Sequence, residues 1–247
     1  MIRKRWKEVE WLEFEIFQNL PLKHGVFSRK GGVSEGPFAA LNLGVKGGDL
    51  EVHVRENQRR VSECFDFLPI TYLDQIHANG VVDIVKKEEG LVGDALVTNK
   101  KGVPLAIRHA DCQVGIFYDP VHNALGVAHS GWRGNVLNIY KETLEKMKKL
   151  YKSRPEEILV AISPSLGPNF SEFIHYKEEF PQSFWQFQVK PNYFDLWAIA
   201  ENQLIEAKIL PHHMEIARIC TFENEADFFS HRREKRRGTN ATIAALL

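Results

Sequence analysis

Four short apolar runs follow one another through the middle of the chain, at residues 94–98, 103–107, 114–118 and 124–128, with Gly, Asp or Pro at their bounds. Continuous apolar stretches of this length read as buried strands, so the chain must fold around sheets with little solvent-facing surface. Helical spacing appears elsewhere. After Gly134 the apolar positions Val136, Ile139, Tyr140, Leu144, Met147 and Leu150 fall three or four apart, with lysines at the end that suits the dipole. A second helix is predicted to start at Asp195 as N-cap and to carry Leu196, Ile199, Leu204 and Ile205. A third covers about residues 52–65. Strands and helices interleave without a regular βαβ rhythm, which predicts mixed sheets with packed helices rather than a doubly wound parallel sheet. No repeat or Pro/Gly/Ser linker divides the chain, so residues 1–247 read as a single domain with a sizeable core. The charged stretch at residues 232–237 reads as a solvated turn.

The formal charge is +0, so no global field recruits nucleic acid or an anionic membrane, and a small molecule is the expected partner. Three cysteines, Cys64, Cys112 and Cys220, are too few and too scattered for a disulfide framework, which favours a reducing compartment. The basic N-terminus runs into charged sequence rather than an apolar signal region, and no apolar run is long enough to span a bilayer. Cytoplasmic residence is the expectation.

Chemistry concentrates at strand ends. Gln75-Ile76-His77, Ala110-Asp111-Cys112 and Ala128-His129-Ser130-Gly131-Trp132-Arg133-Gly134 each place a ligand-type residue beside Gly or another polar group. Three such ligands suit a zinc ion with one open position, which is a catalytic composition. A structural zinc is usually closed by four ligands, often in Cys-x-x-Cys pairs, and this chain has no such pair. Singly, each residue also has a plainer reading, since a buried Cys is commonly a small core hydrophobe and a lone His a satisfied polar group. Asp111 is a candidate orienter or acid/base. Arg133 and the start of the helix after Gly134 are a candidate phosphate seat, with a close-packed strand-to-helix turn as the alternative. Upstream, the Gly-rich polar segment that holds Ser28, Arg29 and Asn42 lacks the ending of a P-loop and the spacing of a dinucleotide fingerprint.

The motifs together resemble one family. Residues 25–44, 75–77, 93–95, 110–112, 128–134, 162–168 and 220–233 occur in the order seen in the YfiH-like, laccase-domain family, also labelled multicopper polyphenol oxidoreductases. The resemblance implies an α+β fold of layered sheets flanked by helices. It also implies a zinc held by His77, Cys112 and His129, and phosphorolysis of adenosine, inosine and methylthioadenosine with adenosine deamination alongside. The implied partners are a purine nucleoside and phosphate, with Asp111, Cys112 and His129 as catalytic residues. Substrate contacts are expected at Ser28, Arg29, Asn42, Arg133, His109 and His231. This chain departs from the family pattern in four places: His109 stands for a common Thr, Gln113 for Pro, His231 for Tyr and Ser163 for Gly. The two histidines bring titratable groups to motifs expected at the site.

Two other activities compete. A four-copper oxidase needs clustered His-x-His pairs and a His-Cys-His segment, and the chain has neither, although copper can occupy the one site adventitiously because it outcompetes zinc at nitrogen ligands. A Cys-His hydrolase would use Cys112 as nucleophile with His129 or His77 as base. A non-catalytic module in which the metal merely orders the fold is the remaining alternative.

Overall fold

The computed structural model describes residues 1–66, 68–84 and 90–247. The first half of the chain forms β1 (Ile2–Trp6), β2 (Val9–Glu13), β3 (Leu22–Phe27), α1 (Glu51–Glu63), β4 (Thr71–Tyr72), β5 (Val81–Asp83) and β6 (Ala95–Thr98). The four apolar runs supply β6 and then β7 (Leu105–His109), β8 (Gln113–Asp119) and β9 (Ala124–Ser130). Next come α2 (Trp132–Val136), α3 (Ile139–Tyr151), β10 (Leu159–Ile162), α4 (Tyr176–Glu179), β11 (Gln188–Lys190) and β12 (Tyr193–Phe194). The chain closes with α5 (Leu196–Glu206), β13 (Met214–Ile216) and β14 (Asn240–Leu246).

Two six-stranded sheets, ordered β1-β2-β3-β14-β7-β4 and β13-β10-β8-β9-β6-β5, hold twelve of these strands. Both are mixed: β4 with β7, β5 with β6 and β10 with β13 pair parallel, and the other pairs are antiparallel. The sheets pack face to face through Val26, Leu105, Ile107 and Leu246 on one and Leu96, Val114, Ile116, Leu125 and Val127 on the other. The outer face of the second sheet carries Ala95, Val97, Phe117 and Val160, which meet Ile139, Tyr140, Leu144 and Met147 of α3 and Leu204 of α5. On the outer face of the first sheet, Phe27, Ala106 and Ile243 pack against Val61 of α1. The architecture is therefore α+β in four layers, helix on sheet on sheet on helix. Strands covered on both faces have no reason to alternate, which explains the unbroken apolar runs. Close approach of α3 requires Gly126 on β9, where a Cβ would lie 3.0 Å from both Met147 Sδ and Thr143 Cγ2.

One predicted helix differs. The segment after Gly131 begins helical at Trp132, stops after one turn, and resumes at Ile139. Asn138 adopts a left-handed backbone at φ 51° and its side chain accepts from the Lys141 amide, so it closes one helix and caps the next. Gly134 therefore lies inside a short turn of helix rather than before a long one. Asp195 does cap α5, accepting from the Ala198 amide at 3.0 Å. All three cysteines are unpaired. Among the described residues no helix is long and apolar enough to cross a membrane.

Candidate metal centre

Three chain segments converge at one end of the sandwich, and one buried carboxylate ties two of them together. Asp94 lies directly before β6 and is 0% exposed. Its Oδ1 faces His129 Nδ1 at 2.9 Å and accepts the His77 amide at 3.0 Å, while Oδ2 accepts the Ala78 amide at 2.7 Å. Its backbone carbonyl takes the His129 amide at 2.7 Å, just beyond the Ala95–Ala128 pair that ends the β6–β9 ladder. A carboxylate on Nδ1 holds the proton there and leaves Nε2 with the lone pair that a metal needs. The His77 loop is braced from its other side by Gln75, whose side chain donates to the Arg108 carbonyl at 2.8 Å and accepts the Arg108 amide at 2.9 Å. Gln75 thus extends the β4–β7 pairing with a side-chain amide in place of a backbone. His77 itself turns at φ 59°.

Cys112 sits on the three-residue connection between β7 and β8, directly after Asp111 at φ 83°. Asp111 anchors that connection. Its carboxylate accepts the Thr221 hydroxyl and the Arg232 amide, both at 2.6 Å, and its carbonyl accepts the Leu166 amide at 2.9 Å. Pairing of Val114 with His129 sets Cys112 opposite Gly131. A Cβ on Gly131 would lie 3.1 Å from Cys112 Sγ and 3.6 Å from His77 Cδ2, so any larger residue would intrude on the site.

The ligand atoms of His77, Cys112 and His129 all lie within 4.8 Å of one another, and this is the metal-competent cluster found among the described residues. The two imidazole rings meet edge to face at 4.9 Å between centroids. Burial alone would push the Cys112 thiol up, but the charge of His129 and hydrogen bonds to both histidines outweigh it and hold the thiol at about 6. His129 is raised in turn to about 9, because the Cys112 thiolate and Asp94 overcome burial. Soft and borderline donors that are readily deprotonated and backed by a fixed carboxylate fit a metal well. His129 is buried, Cys112 half-buried and His77 exposed, so the centre opens on one side.

That side is a cavity of about 280 Å³. Its floor is His77, Cys112 and His129, and its walls include His109, Arg108, Lys46, Asp74, Arg237 and Thr239. His109 bonds Thr242 Oγ1 through Nε2 at 2.9 Å, and its Nδ1 is buried without a partner among the described residues. Burial, helped by His129, pushes its pKa down to about 3, so the ring is neutral at ordinary pH. Asn42 shapes the wall rather than lining it: its Oδ1 accepts the Gly44 and Thr239 amides at 2.9 Å, and both of those residues face the cavity.

The other expected contacts sit outside the lining. Ser28 is buried and donates to the Glu10 carbonyl at 3.0 Å. Arg29 spends Nε and Nη2 on the Ala39 carbonyl and lies 4.4 Å over the Phe229 ring. Arg133 is exposed and stacks 4.2 Å over Trp132. His231 is exposed, with burial of its ring and the nearby Arg237 pulling its pKa down.

Residues 232–237 are not a solvated turn throughout. Arg233 donates to the Thr221, Phe222 and Phe228 carbonyls, folding the segment back onto the molecule and delivering Arg237 to the cavity wall. Sequence reasoning missed Asp94 and Gln75 as braces, and Arg108 and Arg237 as cavity cations. Asp94 had a signal, an acidic residue opening an otherwise apolar run. Arg237 had none, because five of its neighbours from 232 to 236 are also charged.

The family described as multi-copper polyphenol oxidoreductase laccase matches residues 23–247. The chain belongs to this family. Among its relatives, a purine nucleoside phosphorylase of Bacteroides thetaiotaomicron is 30% identical over 233 residues, covering 86% of each chain. A second, purine nucleoside phosphorylase YlmD of Geobacillus stearothermophilus, is 30% identical over 248 aligned positions, covering 90% of this chain and 88% of that one. The crystal structure of YlmD from Geobacillus stearothermophilus superposes with a TM-score of 0.87 at 27% identity, covering 98% of this chain and 97% of that one.

Proposed function

We propose that this chain is a zinc-dependent purine nucleoside phosphorylase acting on adenosine, inosine and methylthioadenosine, with adenosine deamination at the same site. The observation that carries the reading is the His77, Cys112 and His129 cluster on the floor of a cavity, in a chain whose family relatives are named purine nucleoside phosphorylases. Two imidazoles and a thiolate suit zinc, which when bound would supply a Lewis acid with an open position. The one cluster of three ligands among the described residues is too small for a four-copper relay, so the family's laccase label does not describe this chemistry.

In phosphorolysis a phosphate oxygen bonds to C1′ of the ribose while the C1′–N9 bond breaks, and the purine leaves with the electron pair and takes a proton. Positive charge develops on the ribose, so the work is mainly positioning and electrostatics. His109 offers its Nδ1, unpartnered among the described residues, to the base as a neutral hydrogen-bonding group. Asp111, with both carboxylate oxygens engaged, holds the Cys112 connection in place. Cytoplasmic residence accords with three unpaired cysteines.

A second reading has a specific observation behind it. Asp94, His129 and Cys112 form a carboxylate, imidazole and thiolate series like that of a cysteine hydrolase. His77 on the same thiolate favours the metal, because a nucleophile needs one base and not two. Metal analysis and turnover decide between them. Purified protein should carry one zinc, and inosine with phosphate should give hypoxanthine and ribose 1-phosphate, a reaction stopped by chelation. Metal-free protein that cleaves an ester or amide and is silenced by alkylation of Cys112 would establish the hydrolase instead.

A further inference from the structure

Arg237 makes no ion pair among the described residues. Its Nε is buried with no hydrogen-bond partner among the described residues, yet the side chain lines the cavity above the metal-competent cluster. Its acidic neighbours direct their bonds elsewhere. Asp111 gives its two oxygens to Thr221 and to the Arg232 amide. Glu234 pairs through Oε1 with Arg233 at 3.2 Å and Arg29 at 3.7 Å, and its Oε2 makes no hydrogen bond to Arg237 or to any other described residue. A half-buried guanidinium whose Nε is left in this state is costly unless something completes it, and its planar fork of donors matches a tetrahedral oxyanion.

The same cavity holds two further cations. Arg108 is fixed by its Nη2 on the Leu73 carbonyl at 2.8 Å and by the Tyr72 ring 5.3 Å from its guanidinium carbon. Lys46 at the mouth pairs with Asp74, the carboxylate that shares the lining. Even with Cys112 counted as a thiolate, three cations exceed two anions in the wall, and two bound imidazoles add no negative charge. By contrast Arg133 is exposed, stacked on Trp132 and outside this lining.

Resting on the phosphorylase reading, we infer that Arg237 is the seat of the phosphate co-substrate, with Arg108 as the second cation of that subsite. The anion completes the donors that the fold leaves open, and it lies in the same cavity as the metal floor. Arg237 is then a binding residue for the attacking nucleophile. Its substitution should touch phosphate use and leave metal content alone.

The test uses the zinc-loaded full chain with Arg237→Gln and, to retain charge without the fork, Arg237→Lys. Where the wild type releases base from inosine, the phosphate KM should rise on the order of tenfold to a hundredfold in Arg237→Gln, as expected for losing charge-assisted hydrogen bonds. Arg237→Lys should fall between. Zinc content and thermal unfolding should match the wild type in both variants. An unchanged phosphate KM in Arg237→Gln overturns the inference and returns the anion to Arg133, leaving the phosphorylase reading intact. Where the wild type releases no base, inorganic phosphate is titrated directly by calorimetry. Binding lost in Arg237→Gln then upholds the subsite while the phosphorylase reading falls, and equal binding in wild type and variant overturns the subsite too.

Discussion

The cavity has two sides built by different means. Its floor is carried by Cys112 between β7 and β8, by His129 near the end of β9 and by His77 on a loop tied to them, held by ladder hydrogen bonds and by the Asp94 carboxylate. Its opposite wall, at residues 44–47 and 237–239, is loop, held by the Asn42 side chain bridging Gly44 and Thr239. Strand ends give a rigid, pre-oriented donor set, which suits a metal that tolerates little misplacement. Loops bring charge to the rim with less constraint, which suits a co-substrate that must enter and leave. The floor should therefore govern metal affinity and the wall should govern anion use.

The largest effect expected is on the floor. Cys112→Ala removes the thiolate and leaves two imidazoles, a poor site, so bound zinc should fall by more than about a hundredfold in affinity, read by metal analysis after dialysis against a weak chelator. Stoichiometric zinc retained in a folded Cys112→Ala protein would break the division between floor and wall. Next comes Asp94→Asn, which keeps size and polarity but weakens the hold on His129 Nδ1. A loss of about ten- to hundredfold in zinc affinity is expected, in the range for a lost partner behind a metal ligand. Affinity unchanged in this variant would mean that the ladder alone orients His129.

The same division governs what could be read from sequence. The four apolar runs became β6 to β9 because burial on both faces leaves a pattern that survives any tertiary context. Cys112 and His129 were legible since they lie beside such runs, whose register brings them together, whereas His77 was legible only as a ligand-type residue in Gln75-Ile76-His77 and is brought in by its loop's bond to Asp94. The break at Asn138 was not legible, because Val136, Ile139 and Tyr140 keep helical spacing across it while one left-handed residue redirects the axis. Arg237 was hidden for a related reason. A stretch of like-looking charges gives no period from which to tell the one turned inward by the bonds of Arg233. Ser28 and Arg29 show the converse, polar residues in a motif whose donors serve the fold and not the cavity.

The smallest effect expected crosses from wall to floor. In metal-free protein the Cys112 thiol is held down at about 6 and His129 up at about 9, so the thiolate and imidazolium coexist between those values. As pH falls through about 6 the thiol takes a proton and the pair is lost, and as pH rises through about 9 the imidazole loses its proton with the same result. The rate of Cys112 alkylation should accordingly fall about tenfold for each unit below the lower midpoint, since the thiolate is the reactive form. Arg237 lies within electrostatic reach of Cys112. Removing that positive charge in Arg237→Gln should disfavour the thiolate and move the alkylation midpoint upward by about half a unit or less, because the histidines supply the main stabilisation. A shift of a full unit or more would show that the wall governs the floor's electrostatics, and the separation of metal site from anion seat would have to be abandoned.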